Sequence, residues 1–155
     1  MSLETIQLPD QMFPTTTGEI NLTQVETPWL IIYFYPKDST PGCTTQATDF
    51  STMKEQFTAL NCTVIGVSRD SVKAHQNFTT KQSLSINLIS DKEQVLCNLF
   101  DVIKEKNMYG KQVMGVERSS FIFHQSTLVK SYRKVKAAGH AEQILADLKT
   151  LQANV

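Results

Sequence analysis

The chain has 155 residues, 41% of them hydrophobic, which is near the usual size of one globular domain and enough to bury a substantial core. Its 15 Lys and Arg residues balance 15 Asp and Glu residues, so no excess positive field exists to hold nucleic acid or an anionic membrane surface. The longest apolar run, residues 29–35, falls far short of the roughly 20 residues a helix needs to span a bilayer.

At the N-terminus, segment 1–11 carries Glu4 and Asp10 and lacks the basic start and apolar stretch of a secretory signal, so a cytoplasmic protein is expected. Thr17-Gly18-Glu19 between Phe13 and Ile20 suits a small hairpin. The run Trp29-Leu30-Ile31-Ile32-Tyr33-Phe34-Tyr35, stopped by Pro36, reads as a mid-sheet strand buried on both faces. After the loop over 36–42, Phe50, Met53, Phe57 and Leu60 keep helical spacing and predict one apolar stripe on a helix that begins near Cys43. Residues 63–67 form a second buried strand, and Asp70-Ser71 offers an N-cap for a helix running toward Gln82. A short strand over 87–89 leads into Ser90-Asp91-Lys92-Glu93, which has the form of a capping box, and then a helix with Val95, Leu96, Leu99 and Phe100 inward. Residues 119–123 and 128–132 flank the polar turn 124–127 as a hairpin, and Gly139 precedes a closing helix with Ala141, Ile144, Leu145, Leu148 and Leu151 on one face. The sum is a single α/β domain over 1–155, with a mixed central sheet flanked by helices and parallel βαβ crossovers.

The three cysteines, Cys43, Cys62 and Cys97, are too few and too scattered for a disulfide framework, and no CxxC pair suggests zinc. His75, His124 and His140 stand apart in sequence with no HExxH, which argues against a metal. Chemistry concentrates at Pro36-Lys37-Asp38-Ser39-Thr40-Pro41-Gly42-Cys43-Thr44. A cysteine in the first turn of a helix feels the partial positive charge of unpaired N–H groups, which favours the reactive thiolate. Pro36 and Pro41 stiffen the loop, Gly42 lets backbone approach a ligand, and Thr40 places a hydroxyl three residues before the sulfur. Taken alone, Cys43 could equally be an inert small hydrophobe, Pro36 a strand terminator and Thr40 a turn residue. Its delivery by a central strand, at the carboxyl end of a β unit, is where α/β folds place their sites.

The pattern Pro36-x-x-x-Thr40-x-x-Cys43 resembles the peroxiredoxin active-site signature. The longer YFYPKDSTPGCTTQA is similar to the bacterioferritin comigratory protein branch, also called peroxiredoxin Q. Ile65-Gly66-Val67-Ser68-Arg69-Asp70-Ser71, Leu88-Ile89-Ser90-Asp91, Tyr109-Gly110-Lys111 and Arg118-Ser119-Ser120-Phe121-Ile122 extend the likeness over nearly the whole chain. The resemblance implies a thioredoxin-like fold with the peroxiredoxin N-terminal extension, and a thiol peroxidase acting on hydrogen peroxide and organic hydroperoxides. It makes Cys43 the peroxidatic cysteine, Thr40 the hydrogen-bonding hydroxyl, Pro36 the shield of the pocket and Arg118 the cation. Gln46 occupies a place where many relatives carry Glu that orients the arginine; it can still accept a hydrogen bond but brings no charge.

Both familiar resolving-cysteine positions of the family are empty here, being filled by Thr48 and Thr79. Cys62 opens a buried strand and Cys97 lies on an apolar helix face, so both read as core residues rather than resolving cysteines. A one-cysteine cycle is therefore expected, with a Cys43 sulfenic acid reduced by glutathione, with or without glutaredoxin. Thioredoxin becomes the expected reductant if Cys62 or Cys97 resolves. No metal, haem, flavin or nicotinamide is implied, no GxGxxG holds a dinucleotide, and a monomer is expected. The competing readings are a thiol-disulfide oxidoreductase, which normally needs a second cysteine close to Cys43, and a non-catalytic binding or chaperone-like module, which would tolerate loss of Thr40 and Arg118.

Overall fold

The computed structural model describes residues 5–155, so Glu4 of the N-terminal segment lies outside the described residues. An antiparallel hairpin of β1 (Met12–Thr15) and β2 (Gly18–Asn21) opens the chain, and the Asn21 side chain caps the short 3-10 turn that follows. Next come β3 (Trp29–Phe34), α1 (Pro41–Thr52), α2 (Lys54–Ala59), β4 (Cys62–Ser68) and α3 (Val72–Gln82). Then follow β5 (Asn87–Ser90), α4 (Val95–Leu99), and a hairpin of β6 (Ile103–Met108) with β7 (Lys111–Val116). A second hairpin, β8 (Ser119–His124) and β9 (Thr127–Tyr132), leads to α5 (His140–Ala153). Seven strands form one mixed sheet in the order β2-β1-β5-β4-β3-β8-β9, with β3, β4 and β5 parallel and β8 antiparallel to β3.

Every residue of β3 is buried, and the period-two alternation of a strand sends its side chains into two separate cores. Ile31 and Tyr33 join Phe50, Phe57, Phe78, Ile144 and Leu148 on one face of the sheet. Leu30, Ile32 and Phe34 join Leu96, Phe100, Val102, Val116 and Phe121 on the other. At roughly 1.5–3 kcal/mol for each large apolar side chain, these two layers hold β3 rigidly and so fix the point at which it releases the loop to Cys43.

Gly66, paired with Tyr33 on one side and Leu88 on the other, lies where both side chains cross the strand. A Cβ there would meet Tyr33 Cζ and Leu88 Cδ2 at 2.8 Å. Only glycine admits that crossing without displacement.

Three details differ from the sequence expectation. The helix predicted over Phe50, Met53, Phe57 and Leu60 is broken at Met53 into α1 and α2. The apolar stripe survives the break: Phe50 and Phe57 are fully buried with ring centroids 5.8 Å apart, while Met53 and Leu60 stay half-buried. The second difference is at the expected capping box. Ser90 is the last residue of β5, and its hydroxyl donates to the Asp70 carbonyl instead. Asp91 caps α4, its carboxylate accepting from the Leu96 and Cys97 N–H groups at 3.2 and 2.8 Å. That later start rotates the helix, so Leu96, Cys97 and Phe100 point inward and Leu99 is 42% exposed. The third difference is the β6–β7 hairpin, which sequence reading does not anticipate. Lys and Glu alternate with few apolar residues in β6, but the hairpin's inner ends supply Val102 and Val116 to the core.

Candidate active site

Thr40 is the N-cap of α1, in extended conformation, and Pro41 takes the first helical position, where its missing N–H costs nothing. Cys43 is the third helical residue and 1% exposed. The Thr44 N–H donates to the Thr40 carbonyl at 2.8 Å and is the first bond of the helix, so the Gly42 and Cys43 N–H groups belong to the unpaired first turn. Thr40 adds no side-chain cap; its hydroxyl donates backward to the Lys37 carbonyl at 2.8 Å, which leaves its lone pairs to accept from a ligand. Pro36 is half-buried directly after the last residue contributed by the central strand run.

Arg118 arrives from the short link between β7 and β8. Its Nη2 donates to Cys43 Sγ at 3.3 Å and its Nη1 to Gln46 Oε1 at 2.7 Å. The structure thus brings Cys43, Arg118 and Gln46 together, with Thr40 one helical turn before the sulfur. Gln46 is fully buried, and its Nε2 has no hydrogen-bond partner among the described residues. A cation held over sulfur beside unpaired N–H groups stabilises negative charge there, and equally on an oxygen that leaves a bond being attacked by that sulfur. Gly42 allows this approach: a Cβ at that position would lie 3.1 Å from Arg118 Nη2.

Residues that sequence reading passed over complete the surroundings. The Tyr33 hydroxyl is buried without a partner among the described residues, and burial, then the nearby Cys43, raise its pKa far above the ordinary range. Lys106 of β6 donates to the Val116 carbonyl at 2.6 Å, two residues before Arg118. Burial and the neighbouring Arg118 lower the pKa of its ammonium. His75, isolated in sequence, lies in space against Asp38 of the active-site loop, its Nδ1 2.7 Å from Asp38 Oδ2. With Asp70 these two bring ligand-type atoms within 4.8 Å of one another. Those atoms are already engaged with each other, with Ser68 and with backbone, so they are not a free ligand set. Pairings across 32 and 37 residues leave no local signal in a sequence.

Residues 4–132 match the AhpC/TSA family. This chain belongs to that family and is a peroxiredoxin. It is 57% identical over 122 residues to a peroxiredoxin Bcp of Xanthomonas campestris, an alignment spanning 78% of this chain and 76% of that protein. Against a peroxiredoxin Bcp of Bacillus subtilis the identity is 41% over 145 residues, or 92% of each chain. Among solved structures, the X. campestris bacterioferritin comigratory protein, whose alkyl peroxide reduction activity has been studied in trapped complexes, superposes with a TM-score of 0.87 at 48% identity. That superposition covers 94% of this chain and 96% of the other. A cysteine mutant of Xylella fastidiosa PrxQ gives 0.90 at 41% identity, covering 98% and 99%. Two structures of X. campestris peroxiredoxin Q carry single cysteine-to-serine replacements, at positions separated in sequence by as much as Cys43 and Thr79 are here.

As a peroxiredoxin the chain is a thiol-dependent peroxidase and an oxidoreductase, on the mixed α/β thioredoxin-like scaffold expected from its sequence. All three of its cysteines are free thiols. Cys62 pairs with Trp29 at the start of β3, whereas Cys43 follows the end of that strand. Five residue steps along β4, from Cys62 to Val67, already amount to about 16 Å. Cys97 packs in the core on the opposite face of the sheet from Cys43. Burial pushes the Cys62 thiol up to about 12, and burial followed by the Asp91 carboxylate pushes Cys97 up as well. Thr48 is half-buried on α1, and Thr79 is half-buried on α3 with its hydroxyl unpartnered among the described residues. Among the described residues no helix is long and apolar enough to cross a membrane.

Proposed function

We propose that Cys43 is the peroxidatic cysteine of a one-cysteine cycle that reduces hydrogen peroxide and organic hydroperoxides, with Arg118, Thr40, Pro36 and Gln46 building its pocket. The carrying observation is the 3.3 Å contact of Arg118 Nη2 with Cys43 Sγ at the first turn of α1. The Cys43 thiolate attacks one peroxide oxygen; an S–O bond forms as the O–O bond breaks, and the departing oxygen takes the electron pair and a proton to leave as water or an alcohol. Sulfur is oxidised to sulfenic acid and the peroxide is reduced. Arg118 and the unpaired N–H groups of the first turn receive the charge that develops on the departing oxygen. Thr40 accepts the hydrogen bond of the peroxide O–H, Pro36 screens the sulfur from bulk water, and Gln46 holds Arg118 in place through its Oε1.

The sulfenic acid then condenses with an external thiol, releasing water and forming a mixed disulfide that a second thiol resolves. Glutathione, with or without glutaredoxin, supplies both thiols. What supports a one-cysteine cycle is the placement of Cys62 at the far end of the sheet and Cys97 behind it. A disulfide requires Cα atoms about 4.4–6.8 Å apart. The spacing of the two replaced cysteines in the X. campestris protein also falls here on Cys43 and Thr79, and threonine cannot resolve. The protein acts as a cytoplasmic monomer.

Cys43→Ser abolishes peroxide consumption while the chain stays folded, and the double variant Cys62→Ser, Cys97→Ser turns over with glutathione at the wild-type rate. Mass spectrometry of peroxide-treated protein without added thiol shows a Cys43 sulfenic acid. A stoichiometric disulfide from Cys43 to Cys62 or Cys97 overturns the one-cysteine cycle and makes thioredoxin the expected reductant.

A further inference from the structure

The loop 36–42 that delivers Cys43 is tied to the body of the protein by a buried polar network that the peroxidase chemistry does not account for. Asp38, itself buried, accepts from the Tyr35 hydroxyl through Oδ1 at 2.6 Å and meets His75 Nδ1 through Oδ2 at 2.7 Å. The Asp38 N–H donates to Asp70 Oδ2 at 2.9 Å. The same Asp70 oxygen accepts from the Ser68 hydroxyl at 2.6 Å, and the Asp70 carbonyl accepts from Ser90. His75 Nε2 lies 2.8 Å from the Ile89 carbonyl oxygen, an atom that only accepts, so Nε2 carries a proton. One further proton must then lie between Nδ1 and Asp38, on either side, because two lone pairs do not approach to 2.7 Å. Burial, then Tyr33 and Asp38, hold the Tyr35 hydroxyl protonated and hence a donor. One loop side chain is therefore fastened at once to the end of β3, to α3 and, through α3, to β5.

The fastening opposes a local cost. Ser39, next to Asp38, has φ +64°, a left-handed conformation that side-chain-bearing residues rarely adopt, and it is solvent-exposed. A loop holding such a residue relaxes unless its neighbours are constrained. The relaxation would be felt one to four residues on, where Thr40, Gly42 and Cys43 set the distance from sulfur to Arg118.

We infer that Asp38 and His75 are a positioning pair for the peroxidatic loop, holding it against α3 so that Cys43, Thr40 and Arg118 keep the geometry of peroxide attack. The inference rests on the reading of Cys43 as the reacting thiol. Neither residue touches the sulfur, and the pair acts through the loop. The function of the bond is geometric rather than ionic, so a neutral pair that keeps its donors and acceptors serves as well. Asp38→Asn provides that pair: Oδ1 still accepts from Tyr35, and Nδ2 donates to Nδ1 of a neutral His75.

The test measures the two half-reactions separately by quenched-flow mass spectrometry of Cys43: sulfenic acid formation with hydrogen peroxide, and reduction of preformed sulfenic acid by glutathione. Asp38→Ala slows the first by about tenfold or more, as misplacement of reacting groups by an ångström or less does, and leaves the second within about threefold of wild type. Asp38→Asn restores the first to within about threefold of wild type. Because Asp38→Ala strands His75 in the core, the apolar double variant Asp38→Ala, His75→Leu is measured beside it, and it shows the same loss confined to the first half-reaction. A folded Asp38→Ala or double variant that forms sulfenic acid at the wild-type rate overturns the inference, as does an Asp38→Asn as slow as Asp38→Ala. A fall in melting temperature with both half-reactions unchanged makes the pair purely structural and also overturns it. The Cys43→Ser control keeps the two readings apart: peroxide consumption that survives there sinks the assignment of Cys43, whereas the positioning pair fails only against an inactive control.

Discussion

Arg118→Ala removes both bonds by which the β7–β8 link grips α1, one to Cys43 Sγ and one to Gln46 Oε1. The two losses have different readouts. The bond to sulfur is charge-assisted and, in the proposed mechanism, aimed at the place where negative charge passes from sulfur to the departing oxygen. Loss of a donor of that kind raises a barrier by about 2 to 4 kcal/mol, roughly 30- to 1000-fold in the second-order rate with peroxide. The bond to Gln46 is structural. Gln46 is fully buried with Nε2 already unpartnered among the described residues, and losing Arg118 strands its oxygen too, at a cost of about 1–3 kcal/mol in folding stability. Stopped-flow measurement of peroxide consumption gives the first quantity, and urea unfolding gives the second. Arg118→Lys falls between wild type and alanine in rate, because one ammonium cannot serve the sulfur and the amide together as the planar fork does. A folded Arg118→Ala protein with an unchanged peroxide rate would remove Arg118 from the site and with it the main support for the proposed mechanism.

Gly42→Ala leaves every charge in place but sets a Cβ 3.1 Å from Arg118 Nη2, so peroxide attack slows by about tenfold while helix propensity at that position improves; a rate equal to wild type would show that the guanidinium position is not critical. Gly66→Ala forces Tyr33 and Leu88 apart and destabilises the fold by about 1–3 kcal/mol in denaturant unfolding, and a neutral result would refute the tight crossing at that strand. His140 is buried against Ser120, and burial lowers its pKa to about 4, with the Arg118 charge adding to the effect and Asp147 opposing it. Its free value is about 6.5. Between those two values the unfolded chain binds a proton that the folded chain refuses, so this contribution is intact above pH 6.5 and is lost as pH falls toward 4. The slope is about 1.4 kcal/mol per pH unit, and the total over that window about 3–3.5 kcal/mol. His140→Gln abolishes that part of the acid dependence; identical pH–stability curves for the two proteins would contradict it.

The central strand, the loop and the helix that bears Cys43 were legible because each is written locally. An unbroken apolar run means a strand buried on both faces, the Pro-x-x-x-Thr-x-x-Cys spacing means a stiff loop entering a helix, and the family likeness starts from those same residues. Arg118, by contrast, was assigned by resemblance alone, since nothing within its own stretch of sequence points toward a sulfur 75 residues away. The capping box at Ser90 misled because Ser90 and Asp91 both bear capping oxygens, and which of them turns toward the helix depends on Asp70 claiming Ser90 from the neighbouring strand end. The β6–β7 hairpin escaped detection because β6 carries few apolar residues and the apolar residues of β7 do not alternate, Val113 and Met114 being exposed, so neither strand shows a period.

The sequence by itself determined the family and the scaffold and marked Cys43 as the candidate reacting thiol, because those signals lie in motifs of residues close together along the chain. The tertiary structure decided which groups converge on that thiol and on its loop. Gln46 beneath Arg118, Tyr33 in the core beside it, and His75 locked to Asp38 come together only when separate elements pack on the two faces of one sheet. A buried polar group must find its partner wherever the fold brings one, and that partner is set by packing in space and not by distance along the chain.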